Sequence, residues 1–141
     1  MAAKAKKYIN QVHSFLPRNL LKFFAVAAFL LVPWTVLLSQ VLPSDHLDRR
    51  WNLSWSGFDL GLILSLGLTA YLGLRKSGWV IIPATVAGTL LLIDAWFDCL
   101  TALPGWEYIV SLSLAAFVEV PMSVMAFWIA YCAGRHYIKK R

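Results

Sequence analysis

The sequence has few cysteines and few histidines, and none of them is arranged for familiar cofactor or redox chemistry. The two cysteines, Cys99 and Cys132, do not form a C-x-x-C pair, which argues against a membrane thiol oxidoreductase. They also fall at opposite predicted membrane depths, so we expect no disulfide between them. The three histidines lie outside the long apolar stretches, which argues against a buried haem held by two histidines. We predict no cofactor.

Recognised catalytic motifs are also missing. The sequence contains no G-x-S-x-G nucleophile motif and no phosphate-binding glycine loop. Asp94 and Asp98 form a D-x-x-x-D pair, which also occurs in membrane enzymes that transfer phospho-alcohol groups. The D-G-x-x-A-R segment that precedes the pair in those enzymes is not present here. These absences favour a protein that is not an enzyme.

The chain is instead rich in apolar residues. Of its 141 residues, 60% are hydrophobic and 14% are charged, more apolar surface than a soluble domain of this size can bury. The net charge is +6, but the basic residues cluster at the chain ends and in one short loop, without aromatics interleaved along a polar face. That distribution fits membrane topology, so we expect the lipid bilayer as the partner and no nucleic acid.

Four stretches are long and apolar enough to cross a bilayer, whose core requires about 20 residues per helix. We predict an all-α membrane protein, a four-transmembrane-helix bundle, with spans at 20–42, 57–74, 79–103 and 108–132. The remaining segments are a basic cytoplasmic or interfacial segment at 1–19 and a basic cytoplasmic tail at 135–141, which flank a transmembrane domain at 20–134. Residues 8–18 mix apolar and basic side chains and favour an N-terminal interfacial helix; a disordered basic tail is the alternative.

The distribution of Lys and Arg predicts that both termini are cytoplasmic (N-in/C-in). Eleven of the 13 basic residues fall on one side: Lys4, Lys6, Lys7, Arg18, Lys22, Arg75, Lys76, Arg135, Lys139, Lys140 and Arg141. The other side has Arg49 and Arg50. By the positive-inside rule we expect a multi-pass protein of the plasma (inner) membrane. The first apolar run is too long for a signal peptide and no A-x-A site follows it, so we expect that span to be retained.

Four acidic residues fall inside the predicted spans, where an unpaired charge costs several kcal/mol. At ~1.5 Å per residue, Asp59 lies roughly 3 Å from the outer end of its span, Asp98 about 7 Å, Asp94 about 13 Å and Glu119 about 18 Å. Asp94 and Asp98 are spaced i, i+4 and share a helix face. Pro121 has no N–H to donate to the carbonyl of Phe117, so we expect a kink beside Glu119.

We interpret these four acids as converging on a cavity open to the outside. Such a group suits a cation or a cationic amphiphile, with aromatic walls from Trp34, Trp96 and Phe97 at similar depths. If a metal binds, its ligands would be Asp94, Asp98 and Glu119. The alternative is that each carboxylate only hydrogen-bonds a neighbouring helix or meets Arg49 or Arg50. That alternative is favoured for Asp59 taken alone, because it is shallow.

Small and hydroxyl-bearing residues predict close helix packing. Gly57 and Gly61 form G-x-x-x-G, a pattern that lets helices approach closely within a bundle or across a dimer. Interhelical hydrogen bonds are expected from Ser65, Thr69, Thr85, Thr89, Ser111 and Ser123.

Three motifs, W-S-G-F-D (55–59), L-L-I-D-A-W-F-D (91–98) and E-V-P (119–121), carry a resemblance. In this respect the chain resembles uncharacterised four-helix integral membrane proteins of bacteria, over about its last ninety residues. The resemblance implies the same four acids and no activity. A more distant analogy is to the sterol-isomerase and sigma-2 receptor family, which binds cationic amphiphiles through membrane carboxylates; this chain is shorter and lacks its wider pattern.

Three functions remain open from the sequence. The first is binding or transport of a cation or cationic amphiphile through an outward-facing acidic cavity. The second is an accessory or assembly subunit of a membrane complex, and a homodimer or larger assembly would fit it. The third is a membrane enzyme that uses paired carboxylates.

Overall fold

The computed structural model describes residues 16–41 and 51–138, and in these residues the chain is all helix and turn. The elements, in chain order, are α1 (Arg18–Val41), α2 (Trp51–Leu74), a 3₁₀ turn (Gly78–Val80), α3 (Ile81–Thr101), α4 (Trp106–Leu114), a π turn (Ala115–Glu119) and α5 (Val120–Ile138). The prediction of an all-α protein is confirmed for the described part of the chain.

Four of these segments are long and apolar enough to cross a membrane: Arg18–Leu37, Leu53–Leu74, Gly78–Thr101 and Trp106–Arg135. They coincide with the four predicted spans. The second helix starts at Trp51, before the predicted position 57, and the last runs to Ile138, beyond the predicted position 132. Hydropathy marks where a helix meets lipid, whereas backbone hydrogen bonding continues into the polar interface, so the helices extend past the apolar runs.

Two predictions fall on residues outside the described ranges. The interfacial helix at 8–18 lies outside them except for its last three residues. Arg49 and Arg50, the alternative partners for the buried acids, lie wholly outside them.

The described helices belong to two compact units, Met1–Lys76 and Ser77–Arg141. In the first unit α1 and α2 form an antiparallel pair, which we call the first hairpin. Its core consists of Leu21, Phe24, Ala28, Leu62, Leu66 and Ala70, all buried. The closest approach is at Gly73, where an added Cβ would lie 2.5 Å from Leu21 Cδ2. Added at Gly57, a Cβ would meet nothing within 4 Å, so the close contact within this hairpin lies at the opposite end from G-x-x-x-G.

The second unit pairs α3 with α5, and α4 and the π turn lead into α5; we call this the second hairpin. Its core consists of Val80, Ala84, Ala87, Leu91, Ala95, Met122, Ala126, Ile129 and Ala130. Here the close approach is at Gly88, whose added Cβ would lie 3.1 Å from the ring of Phe127. The small residues of α3 therefore let α5 pack closely against it.

Most of the hydroxyl groups bond within their own helix. Ser65, Thr69, Thr85 and Thr89 donate to carbonyls three or four residues earlier, which corrects the prediction that they join helices. Such local bonds satisfy a hydroxyl in an apolar medium without a second helix. Ser123 does join two helices, because its Oγ donates to the carbonyl of Gly88 at 2.7 Å.

The outward faces of both hairpins are apolar. Large side chains such as Phe29 and Phe117 are 75% and 82% exposed. Exposed apolar surface on this scale fits lipid as the surrounding medium and agrees with a multi-pass membrane protein.

Candidate functional site

Asp59 is a buried carboxylate in the first hairpin. It is 5% exposed, and its Oδ2 accepts a hydrogen bond of 3.0 Å from Thr35 Oγ1 on α1. The same hydroxyl donates to the carbonyl of Leu31 at 2.9 Å. The Thr35 hydroxyl has one hydrogen, so Asp59 Oδ2 and the carbonyl oxygen of Leu31 share it unless the carboxyl group is itself protonated.

This contact is the hydrogen bond to a neighbouring helix that the sequence favoured for Asp59 alone. Thr35 was not among the predicted site residues. The antiparallel register of α1 and α2 brings it level with Asp59, and Leu21 level with Gly73. Counting residues back from the connection between the two helices could have found this pair.

Glu119 is the corresponding buried carboxylate of the second hairpin. It is the last residue of the π turn and is 7% exposed. Among the residues that the structure describes, its Oε2 is buried and has no hydrogen-bond partner. A buried acceptor left in that condition costs about 1–3 kcal/mol, and more when it is charged. None of the residues that the structure describes supplies a hydrogen-bond donor to this oxygen, which would accept a hydrogen bond or contact a cation.

The π turn follows from Pro121. Proline cannot donate a backbone hydrogen bond and its ring crowds the preceding turn, so a regular helix is strained at this point. The chain adopts a wider turn, in which the N–H of Val120 donates to the carbonyl of Ala115, five residues earlier. The expected irregularity beside Glu119 is therefore present, as a π turn rather than a simple proline kink. Turns of this kind are frequent at functional sites.

Asp98 is the acidic residue of α3 that lies close enough to Glu119 for the two like charges to interact. The thiol of Cys99 lies within the electrostatic range of both carboxyl groups. Asp94 and Asp98 are one helical turn apart, and both are half-buried. Asp98 and Glu119 thus both belong to the second hairpin, within the range of electrostatic interaction, while Asp59 belongs to the first.

The aromatic residues predicted as cavity walls lie on exposed helix faces. Trp34 is 50% exposed and Trp96 is 67% exposed, and Phe97 is exposed as well. The prediction grouped them with the acids by depth alone. Depth does not determine the direction of a side chain, and residues two apart on a helix, such as Asp94 and Trp96, point to nearly opposite sides.

The acids do not form a metal centre in the described part of the chain. No group of three or more His, Cys, Asp or Glu side chains is suitably placed there to hold a metal ion. This finding gives no support to the metal option for Asp94, Asp98 and Glu119.

Comparison with protein-family models, with curated proteins and with solved structures finds no match for the chain. The likeness to bacterial four-helix membrane proteins therefore stays a prediction based on its three motifs.

Proposed function

We propose that the protein binds or transports a cation through a site in the second hairpin, built on Glu119 and Asp98. The observation that carries this proposal is the buried Oε2 of Glu119, which has no hydrogen-bond partner among the described residues. Asp98 adds a second carboxyl group within electrostatic range.

The charges of the pair define the class of ligand. Two neighbouring carboxylates repel each other, and the repulsion is strong where water is scarce and the effective dielectric constant is low. A positive charge placed between them removes the repulsion and satisfies the open oxygen. A monovalent metal ion and an organic cation that carries N–H donors both meet this requirement, whereas choline has no N–H to donate to the open oxygen.

The enclosure of Glu119 favours a small cation over a cationic amphiphile. Its side chain is almost fully covered by the second hairpin, and the aromatic rings of Trp96 and Phe97 are turned outward. An amphiphile would reach the carboxylate only if α3 and α5 separate. The π turn before Pro121 is the element that would permit such a movement, because its hydrogen bonds are spaced more widely than those of an α-helix.

Thermal unfolding of the purified protein in lipid nanodiscs tests this function. Sodium, potassium and ethidium are added in turn, with choline chloride at equal ionic strength as the reference, because a ligand that binds the folded state raises the unfolding midpoint. We expect at least one of the three to raise it in the wild type and none to do so in Glu119→Gln.

The matched control is Glu107→Gln, which neutralises an exposed acid in the first turn of α4. This variant should respond to the cation as the wild type does. The proposal is overturned if none of the three cations raises the midpoint of the wild type, or if Glu119→Gln responds fully. A change in assembly without any cation effect would favour the accessory-subunit function instead.

The orientation of this site also belongs to the proposal. We place both termini in the cytoplasm and the protein in the plasma (inner) membrane, on the strength of the 11-to-2 distribution of basic residues. Glu119 and Asp98 then lie towards the outer side. The orientation is tested with Ser77→Cys and Pro104→Cys. Each is made alone in a protein that also carries Cys99→Ser and Cys132→Ser. An impermeant maleimide added to intact cells should label the cysteine at 104 and not the one at 77; the reverse pattern would invert the topology.

A further inference from the structure

The two hairpins share features at a constant offset of 60 residues. Asp59 in α2 is followed by Ala70-Tyr71 and then Arg75. Glu119, which immediately precedes α5, is followed by Ala130-Tyr131 and then Arg135. An acid, an Ala-Tyr pair and an arginine thus recur with identical spacing.

The recurrence extends to side-chain contacts. Arg75 places its guanidinium carbon 4.9 Å from the centre of the Tyr71 ring, and Arg135 lies 5.7 Å from the centre of the Tyr131 ring. Each is a cation–π contact between residues four apart on a helix. Arg75 directly follows α2, and Arg135 lies in the last turn of α5.

Burial follows the same offset. Asp59 and Glu119 are both almost fully buried, and four further pairs of α2 and α5 residues are buried in both hairpins: Leu62 and Met122, Leu66 and Ala126, Thr69 and Ile129, Ala70 and Ala130. These positions form the face that packs on the first helix of each hairpin.

The first helix of each hairpin follows the same offset of 60 residues. The first hairpin begins its helix at Arg18, and the second begins its 3₁₀ turn and helix at Gly78, again 60 residues on. Phe24 and Ala84 are buried at equivalent positions, as are Ala28 and Gly88. In α1 the residue level with the buried acid is Thr35. The same offset leads to Ala95 in α3, which is buried and has no hydroxyl.

The pairing of α3 with α5 supports this equivalence. Gly88 of α3 lies level with Ser123 and Phe127 of α5. Because the two helices are antiparallel, a step of four residues back from Ser123 to Glu119 corresponds to a step of four residues forward from Gly88, to about position 92. The buried residues of α3 on either side of that level are Leu91 and Ala95. The buried α3 side chains nearest this level therefore carry no hydroxyl group, whereas Thr35 of α1 donates one to Asp59.

We propose that the chain consists of two copies of one helical hairpin, in which Thr35 closes the carboxyl site of the first copy and Ala95 leaves the site of the second copy open. One copy then has a structural acid, bonded internally. The other keeps an acid whose oxygen is available to a cation. Internal structural repeats are a known way of building transport proteins. The functional meaning of this inference rests on the cation site proposed at Glu119.

Reaction with dicyclohexylcarbodiimide tests the inference without requiring the identity of the cation. This apolar reagent adds to a protonated carboxyl group in a membrane, with no leaving group, and the adduct is located by peptide mass spectrometry. Asp59 and Glu119 are buried to nearly the same extent, so they form a matched pair. We expect Glu119 to react faster than Asp59 in the wild type, by about fivefold to tenfold, the factor expected for one hydrogen bond.

Substitutions at Ala95 and Thr35 should reverse the difference in labelling rate between Glu119 and Asp59. Ala95→Thr should slow the labelling of Glu119 by the same factor, whereas Ala95→Val, of equal size but without a hydroxyl, should not. Thr35→Val should bring Asp59 up to the rate of Glu119, and Thr35→Ser should keep it slow. Helical content measured by circular dichroism identifies a variant that has failed to fold; in that case the other exchange decides the outcome.

The results separate this inference from the proposed function. In one outcome, Glu119→Gln abolishes the cation effect, Glu119 is labelled at the same rate in Ala95→Thr and Ala95→Val, and Asp59 is still labelled slowly in Thr35→Val. The cation site then stands and the two-copy interpretation is overturned. If the exchanges behave as expected but no cation stabilises the wild type, the two copies stand and the cation function is overturned.

Discussion

Thr35 on α1 donates its hydroxyl to the carboxyl group of Asp59 on α2, across 3.0 Å. The bond joins the two helices of the first hairpin at the level of its only buried acid in the described residues. In the second hairpin the helices are joined one turn away from the acid, through Ser123 and the carbonyl of Gly88. The two acids therefore have different surroundings, although each lies at the interface of a pair of antiparallel helices.

Replacing Thr35 by Val should destabilise the protein by about 1–2 kcal/mol, because the carboxyl group of Asp59 loses its donor while the volume of the side chain is kept. Thr35→Ser should retain most of the stability. The measurement is reversible unfolding in mixed detergent micelles. Thr85→Val is the control, since that hydroxyl is exposed and bonds only to its own helix; equal losses at positions 35 and 85 would contradict the role of the Asp59 contact.

Removing the Ser123 hydroxyl should weaken the second hairpin. Ser123 is fully buried, and Ser123→Ala leaves the packing almost unchanged while deleting the bond to Gly88. We expect a loss of roughly 0.6–1.7 kcal/mol, the usual range for an interhelical hydrogen bond in a membrane. Ser113→Ala, an exposed serine that bonds only to Ile109, should change the unfolding free energy little. A neutral Ser123→Ala would show that the bond does not contribute to stability.

Gly73→Ala should be destabilising through a clash that can be relieved. The added methyl group would lie 2.5 Å from Leu21 Cδ2, at the end of a side chain that fills the core of the first hairpin. We expect a cost of about 1–3 kcal/mol from overpacking. In a double-mutant cycle, Leu21→Ala should reduce that cost, because it removes the clashing atoms.

Gly67→Ala is the matched control for that clash. Its Cβ would meet nothing within 4 Å, so the better helix propensity of alanine should stabilise α2 by about 0.5–1 kcal/mol. If the two substitutions have the same effect, close packing at Gly73 is not the cause.

Pro121→Ala should convert the π turn into regular α-helix, because the new residue can donate the backbone hydrogen bond that proline lacks. Closing the wide turn rotates the preceding helix, α4, by about 100° relative to α5 and changes the backbone around Glu119 at the junction. We expect carbodiimide labelling of Glu119 to change and the cation effect to fall, while helical content is retained. Unchanged labelling and cation response would mean that the π turn does not position Glu119.

Much of the candidate site could be read from the sequence because charge inside an apolar run is a local signal. Asp59, Asp94, Asp98 and Glu119 stand out for that reason, and Pro121 beside Glu119 predicts an irregular helix. The hydrogen-bond partners could not be read in the same way. Thr35 becomes relevant only when α1 is paired with α2 in one particular register. Trp34 and Trp96 were grouped with the acids by depth, and depth does not say which side of a helix a residue occupies; both lie on exposed faces.

The sequence by itself determined four apolar runs long enough to cross a membrane, and the structure has helices at all four. A helix is the expected form of such runs, because a backbone in lipid must pair its polar groups within itself. Tertiary structure decided which buried carboxylate has a hydrogen-bond partner among the described residues. Thr35 donates to Asp59 only because α1 and α2 pair in one register, whereas Oε2 of Glu119 has no partner in the described part of the chain.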